Sequence, residues 1–402
     1  MPPAASTSST NAPEFDPEMQ EGNGYPRKPR WHRFTIKGPV RAKGDLMWPR
    51  TDFLQLLGLT HPIVQAPMSG FTPPTLVATV CNAGGMGSIG CVGQPSDVVR
   101  EQVATVRQTT NRPFNLNFFA HTTAGVSPEA TVRMRARLAP YFGAFGLGPV
   151  PEPKDLFSSF NAELLDLVVE LRPPAVSFHF GLPKATAVQK LKDVGCIILS
   201  TATTVAEARS LEERGADVVI AQGFEAGGHR GSFSGSPGAG MIGTMALVPQ
   251  IVDAVGVPVI AAGGIGDGRG IAAAFALGAS GVQMGTAFLG CPEAGIPPLY
   301  RTQLQAATDE STELTRAYTG RPARAIRNRF VEEMADSDPL EFPLQASLVS
   351  PLWRLPNEAE RVAFMPIWAG QAAPLARDLP AAQLIAKLVA QAQAVMGQRG
   401  ST

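Results

Sequence analysis

The chain has 402 residues, enough for two or three domains or for one α/β barrel carrying insertions. Its 34 Lys and Arg balance its 34 Asp and Glu, so composition offers no electrostatic footprint for nucleic acid or an acidic membrane surface. The 44% hydrophobic fraction can supply a large core, while no apolar run reaches the ~18 residues that a membrane span needs. Cys81, Cys91, Cys196 and Cys291 show no CxxC spacing, which argues against a zinc site or a disulfide framework and suits a reducing compartment. No metal site is expected.

Residues 1–50 read as a flexible tail, rich in Pro, Ser, Thr and charge and poor in periodic apolar content. They lack the charged start and apolar stretch of a secretory signal, so a cytoplasmic location is expected. The stretch through Pro13 has Ser, Thr and Ala but no acid, which leaves an organelle transit peptide as a weaker alternative. It also lacks arginine, and Glu14, Asp16 and Glu18 follow at once.

From about Asp52 strands and helices alternate. A short apolar run at His61–Ala66 precedes a helix from Pro73-Pro74 to Asn82, which Gly84-Gly85 ends. Met86–Gly90 reads as a strand, Ser96–Gln108 as a helix and Phe114–Phe119 as a strand. A mostly helical stretch over Pro128–Leu171 follows. Strands are then expected at Ala175–Phe178, Cys196–Ser200, Val218–Ala221, Val257–Ala261 and Gly281–Met284, with helices such as Val205–Arg214 and Gly268–Leu277 between them. About eight strands separated by helix-length crossovers require parallel pairing. A doubly wound open sheet is one solution, but glycine-rich strand exits favour a closed (β/α)₈ TIM barrel over residues 51–290. After Phe288 the rhythm stops. Residues 291–365 read as a helical insertion packed over the barrel mouth, and residues 366–402, with an amphipathic helix at Ala381–Met396, as a C-terminal element closing the barrel.

Function in such a barrel lies where the loops after the strands converge. The seventh exit, Ala262-Gly263-Gly264-Ile265-Gly266-Asp267, and the eighth, Gln283-Met284-Gly285-Thr286, are rich in small residues that let backbone amides approach an anion. Both stand where barrels often bind phosphate; the bland reading is two tight turns. A literal GxGxxG at Gly85–Gly90 is rejected as a dinucleotide site, because it follows a helix and no acid stands ~20 residues later. The sixth exit, Gln222-Gly223-Phe224-Glu225-Ala226-Gly227-Gly228-His229-Arg230-Gly231, gathers an amide, an acid, an imidazole and a guanidinium, and Ser232–Gly240 behind it resembles a lid. His229 there is the candidate general base. Glu225 and Arg230 are read most simply as an ion pair holding the loop. The first exit, Gln65–Gly70, turns tightly at Met68; the third presents Asn117 beside Phe118 and Phe119; the fourth presents His179. His121 is a weaker candidate, and His61 and His32 look structural or exposed.

Together these segments resemble the nitronate monooxygenase family, formerly called 2-nitropropane dioxygenases. The matching pieces are QAPMSG at Gln65–Gly70, NFF at Asn117–Phe119, HFG at His179–Gly181, QGFEAGGHRG at Gln222–Gly231, AGGIGDGRG at Ala262–Gly270, QMGTAFL at Gln283–Leu289, TGRPAR at Thr319–Arg324 and WAGQ at Trp368–Gln371. The combination is specific although no single piece is. The resemblance implies an FMN-binding barrel that oxidises alkyl nitronates, and nitroalkanes as a further class, with O₂ to carbonyl compounds and nitrite. By it, the Met68 backbone lies by the isoalloxazine ring, and Asn117 and Gln222 hydrogen-bond the flavin. Gly227, Gly263 and Gly264, with Gln283, Met284, Gly285 and Thr286, hold the phosphate. His229 and His179 are the implied catalytic pair, protonated if they hold the nitronate anion, whereas His229 is neutral if it removes a proton. Related flavin barrels reduce enoyl thioesters or quinones with NAD(P)H and share the phosphate loops; the HFG and EAGGHRG forms favour nitronate oxidation. A non-flavin phosphate-binding barrel, such as a sugar-phosphate isomerase or a ligand carrier, is the alternative of another class. Oligomeric state is not legible.

Overall fold

The computed structural model describes residues 48–122, 125–235 and 240–397. The tail, His32 and the Ser236–Ala239 part of the expected lid lie outside these residues, apart from positions 48–50 of the tail.

Eleven strands are described: β1 (Ile63–Gln65), β2 (Gly87–Gly90), β3 (Phe114–Phe119), β4 (Ala175–His179), β5 (Ile197–Ala202), β6 (Val218–Gln222), β7 (Gly228–His229), β8 (Val259–Ala262), β9 (Gly281–Met284), β10 (Thr312–Thr315) and β11 (Ala323–Ile326). Eight of them form one parallel sheet in the order β1-β9-β8-β6-β5-β4-β3-β2. Its two ends meet through a parallel bridge between Val64 and Met86, where Gln65 N donates to the Met86 carbonyl and Met86 N to the Ile63 carbonyl, both at 2.9 Å. That contact closes the sheet into a barrel, as the crossover pattern requires. The strands are short and apolar because both faces are covered. Val64, Met86, Leu199, Val218, Ile220 and Ile260 fill the interior, with Phe53 from the helix Asp52–Leu57 as part of the same cluster. The helices pack a second apolar layer outside.

Glycines in the rejected GxGxxG serve this packing. A Cβ on Gly87 would lie 2.4 Å from the Val77 carbonyl oxygen, and one on Gly85 2.8 Å from that of Ile63. Only glycine lets β2 lie this close to the helix Pro74–Asn82.

The mostly helical stretch from Pro128 to Leu171 is two helices, Pro128–Ala144 and Ala162–Leu171, with Gly146 and Gly148 turning the chain between them at φ +63° and +76°. One expectation changes. The segment 291–365 is not wholly helical: β10 and β11 form an antiparallel hairpin that also pairs with β7, with Ala323 opposite His229 and Arg324 opposite Gly228. Ala-Arg-Ala-Ile has little strand propensity, and tertiary pairing overrides it.

The C-terminal helix Ala381–Gly397 lies against the helix Gly268–Ala276, where a Cβ on Gly268 would stand 2.3 Å from that of Gln391. Its Leu384, Ile385 and Leu388 belong to the outer barrel core. Ile385 is 1% exposed, so Ile385→Ala is expected to lower stability by about 2–5 kcal/mol. Denaturant unfolding checks this; an unchanged midpoint would detach this helix from the cooperative core.

Candidate active site

The C-terminal strand ends open into a cavity of about 480 Å³. On its wall stand His229, His179, Met68, Asn117, Gln222, Gly227, Gly263, Gly264, Gln283, Met284, Gly285 and Thr286, the residues that the resemblance implies for catalysis and flavin binding, whereas the weaker candidate His121 does not line it. The barrel brings them together because successive parallel strands end at one rim.

His229 closes β7, and its position depends on three elements. Its backbone carbonyl accepts from Gln222 Nε2 of β6 at 3.0 Å and from His179 Nε2 of β4 at 3.1 Å. Its ring Nε2 meets Thr319 Oγ1 at 2.9 Å, at the turn between β10 and β11. A carbonyl has no proton to give, so His179 carries its hydrogen on Nε2. His179 Nδ1 then accepts from Thr201 Oγ1 at 3.1 Å. Both nitrogens of His179 are committed and the ring is neutral, so it holds the loop instead of exchanging protons. His229 Nδ1 has no partner among the described residues, and the residue lines the cavity.

Electrostatics agree. Burial pushes the His229 imidazole down to about 3, and His179, Arg321 and His121 add to the shift. Burial likewise pushes His179 down to about 4, against the opposing bond to the His229 carbonyl. Burial thus disfavours the imidazolium of both rings and favours the reading in which His229 is neutral over the one in which both attract an anion. Around the two rings stand Phe119, Phe180 and Phe342, with centroids 5.8, 5.8 and 5.6 Å from that of His229, and Trp368 at 5.6 Å. Phe180 adopts φ +69°, an uncommon conformation for a bulky residue. The HFG turn thereby sends His179 to the loop and packs the Phe180 ring beneath the Arg321 guanidinium, 4.1 Å from its centroid.

Glu225 and Arg230 do not form the expected ion pair. Glu225 accepts from Thr244 N at 2.9 Å and from Thr244 Oγ1 at 2.8 Å, capping the helix Thr244–Val252. Arg230 donates to the carbonyls of Gln222 and Gly240, so it ties the end of the expected lid to β6. A guanidinium has donors enough for two separated carbonyls, and each charge finds closer backbone partners than the other residue offers.

Opposite the histidines is a glycine cradle. Gly263 and Gly264 take φ +101° and +72° after β8. The WAGQ segment passes close by: a Cβ on Gly227 would lie 2.5 Å from Gly370 N, and Gly370 N donates to Thr286 Oγ1 at 3.0 Å. Backbone packed this tightly, without side chains, suits a phosphate held by amides. Between cradle and histidines, Asn117 spends its amide hydrogens on Ser177, through the carbonyl at 3.2 Å and Oγ at 2.9 Å, which leaves its carbonyl oxygen as acceptor. Gln222 uses one hydrogen on His229 and accepts from Gly231 N at 2.8 Å, keeping one hydrogen and one lone pair. A flavin ring, with donor and acceptor edges, fits such a wall, and its single phosphate fits the cradle.

Several site residues escaped sequence reading. Thr201, Thr319, Trp353, Trp368 and Gly370 line the cavity; Thr319 lies in TGRPAR, and Trp368 and Gly370 lie in WAGQ. Nothing in their spacing links them to β6 or β8.

A family model described as nitronate monooxygenase matches residues 50–391. A nitronate monooxygenase of Pseudomonas aeruginosa is 44% identical over 342 residues, covering 84% of this chain and 97% of that one. Among solved structures, a nitroalkane oxidase from Streptomyces ansochromogenes superposes with a TM-score of 0.80 at 37% identity, covering 87% of this chain and 100% of that chain. FabK from Thermotoga maritima superposes with a TM-score of 0.67 at 31% identity, covering 87% and 98%. With a barrel closed around this histidine loop and glycine cradle, and a family model that spans most of its length, the chain belongs to the nitronate monooxygenase family.

Proposed function

We propose that this enzyme is FMN-dependent and oxidises alkyl nitronates with O₂, releasing a carbonyl compound and nitrite, and that it accepts neutral nitroalkanes through deprotonation by His229. The observation that carries the reading is a neutral imidazole, anchored at Nε2 by Thr319 and unpartnered at Nδ1 among the described residues, on the wall of a cavity that ends in a single-phosphate cradle. When bound, FMN accepts electrons from the nitronate and returns them to O₂.

The protein's own part is positioning and proton management. Gly263, Gly264, Gly227 and Thr286 would hold the phosphate end, and Asn117 and Gln222 would offer an acceptor and a donor to the ring. Ser69 Oγ donates to the Val92 carbonyl at 2.7 Å, holding the Met68 turn rigid at the cavity edge. For a preformed nitronate no proton need be removed. For a nitroalkane, His229 Nδ1 takes the α-proton; His179, with both nitrogens engaged, keeps the loop carbonyl in place. If Thr319 Oγ1 gives its proton to the Arg321 carbonyl, 3.5 Å away, it accepts from His229 Nε2–H and leaves the Nδ1 lone pair free. The competing NAD(P)H-reductase reading separates by one observation: anaerobic addition of a nitronate should bleach the bound flavin, whereas NADH should leave it oxidised.

Flavin released by denaturation is expected to have the mass of FMN, since a single phosphate cradle is described. Gly264→Asp should weaken flavin binding while sparing apoprotein stability far more, because it sets a carboxylate against the phosphate and a side chain on a backbone at φ +72°. Recovery of FAD, or unchanged flavin affinity in the variant, would remove the cradle from the site.

His229→Asn keeps a hydrogen-bonding side chain without a proton acceptor. Turnover of nitroalkanes should fall by about 10²–10⁴-fold while turnover of preformed nitronates changes little. In the parent enzyme an imidazole pushed down to about 3 stays neutral as pH drops from 8 to 5, so nitroalkane turnover should show no protonation limb near pH 6.5, where an ordinary histidine titrates. Equal losses for both substrates would exclude the base role.

A further inference from the structure

Glu207 is 0% exposed, stands in the first turn of the helix Val205–Glu213 and lies off the cavity wall. A carboxylate taken that far from water is costly unless hydrogen bonds use its lone pairs. From the bonds it makes we infer that Glu207 is a positioning residue for His229, holding the histidine segment from outside the cavity. The inference rests on the function proposed above and adds a residue to it.

The carboxylate divides its work between two places. Oε2 accepts from Thr203 N and from Thr203 Oγ1, both at 2.7 Å. Thr204, the N-cap of the helix, accepts from Glu207 N at 3.2 Å. The glutamate thus reaches back to the start of its own helix much as in a capping box. Capping accounts for one oxygen. The other, Oε1, accepts from Phe233 N at 2.7 Å and from Ser234 N at 3.0 Å, twenty-six and twenty-seven positions further along the chain. Hydrogen bonds to an ionised acceptor are the strong ones, and these two close on backbone that no strand or helix holds.

Only Arg230, Gly231 and Ser232 separate His229 from Phe233. Gln222 and His179 hold the His229 carbonyl, and Gln222 Oε1 accepts from Gly231 N at 2.8 Å. Those bonds fix the beginning and middle of the segment; Glu207 fixes its far end. The clearance between is small. A Cβ on Gly231 would stand 2.7 Å from His179 Cε1 and 2.6 Å from Thr201 Cγ2. Phe233, held by its amide, lays its ring on Gly181, where a Cβ would be 3.3 Å from Phe233 Cδ2. Gly181, at φ +98°, completes the HFG turn after His179. One buried carboxylate therefore ties the chain behind both histidines to the start of a barrel helix. A base must be held to a fraction of an ångström, and a misplacement of about 1 Å costs about 10²-fold.

The test is a double-mutant cycle on the flavin-loaded enzyme, with nitrite release from neutral nitroethane and from its preformed nitronate as the assay. E207M keeps the length of the side chain and removes both acceptor oxygens. The ratio of nitroethane to nitronate turnover should fall about 10²-fold in E207M. In the H229N background the same change should lower that ratio by no more than about twofold, because the group it positions is gone. Backbone amide exchange over residues 230–234 should run at least about tenfold faster in E207M than in the parent. E207Q, which keeps one acceptor oxygen, should fall between the two, and it takes the place of E207M in the cycle if E207M does not load flavin. Equal losses with and without His229, or a fall shared equally by both substrates, overturn the positioning role. Unchanged amide exchange overturns it too, whatever the reaction. If H229N alone leaves nitroethane turnover intact, it is the base role of the proposed function that fails, and the exchange measurement still decides whether Glu207 holds the segment.

Discussion

Two side-chain donors converge on one backbone oxygen. Gln222 Nε2 at 3.0 Å and His179 Nε2 at 3.1 Å both donate to the His229 carbonyl, and most of the site's organisation follows from that. The two donors come from β6 and β4, whose neighbours in the barrel are fixed by parallel pairing, so the oxygen is held by rigid elements although the loop that bears it is glycine-rich. The same carbonyl dictates the His179 tautomer, and that removes His179 from proton chemistry. With the main chain pinned, β7 can pair with β11, which in turn delivers Thr319 to the His229 ring.

Holding imidazoles in aromatic surroundings has a cost and a use. Three histidines, His121, His179 and His229, all pack against Phe119 and Phe180, with Phe342 against His121 and His229, and burial favours the uncharged form of each. His121 has both ring nitrogens buried without a partner among the described residues, a sign of how little polar compensation this part of the molecule offers. A neutral ring has a lone pair free for a proton but is a poor anchor for an anion, and the burial that keeps it neutral also weakens it as a base. Arg321 lies over the Phe180 ring, where its charge disfavours protonation of His229 without lying on the cavity wall. The left-handed backbone at Phe180 is the local strain this arrangement carries.

The other half of the site is built by omission of side chains. Gly227, Gly263, Gly264 and Gly370 let three separate segments approach within backbone contact, and Thr286 ties the WAGQ segment to the exit of β9. Glu225 stands beside this cradle, yet its carboxylate is turned onto the start of a helix. An acid that would otherwise face a phosphate is thereby satisfied by Thr244. The cradle and the histidine loop share the sixth exit, so phosphate position and base position are mechanically linked through Gln222–Gly231.

Much of this was legible in the chain itself. Apolar runs at helix-length intervals, as at Phe114–Phe119 and Gly281–Met284, carry the barrel because a parallel strand must be apolar on both faces and a crossover must be long. Strand exits carry the site because the barrel's geometry forces them to one rim, which is why His229, Asn117 and Gly264 could be nominated from position alone. What sequence could not supply was anything that depends on segments distant in the chain meeting. Thr319 reaches His229 across ninety positions, Gly370 reaches Thr286 across eighty-four, and Glu225 prefers Thr244 to the nearby Arg230. The protonation state of the histidines belongs to the same class. An imidazole has the same covalent structure in any sequence, and only the packing of Phe119, Phe180, Phe342 and Arg321 around it decides that it stays neutral.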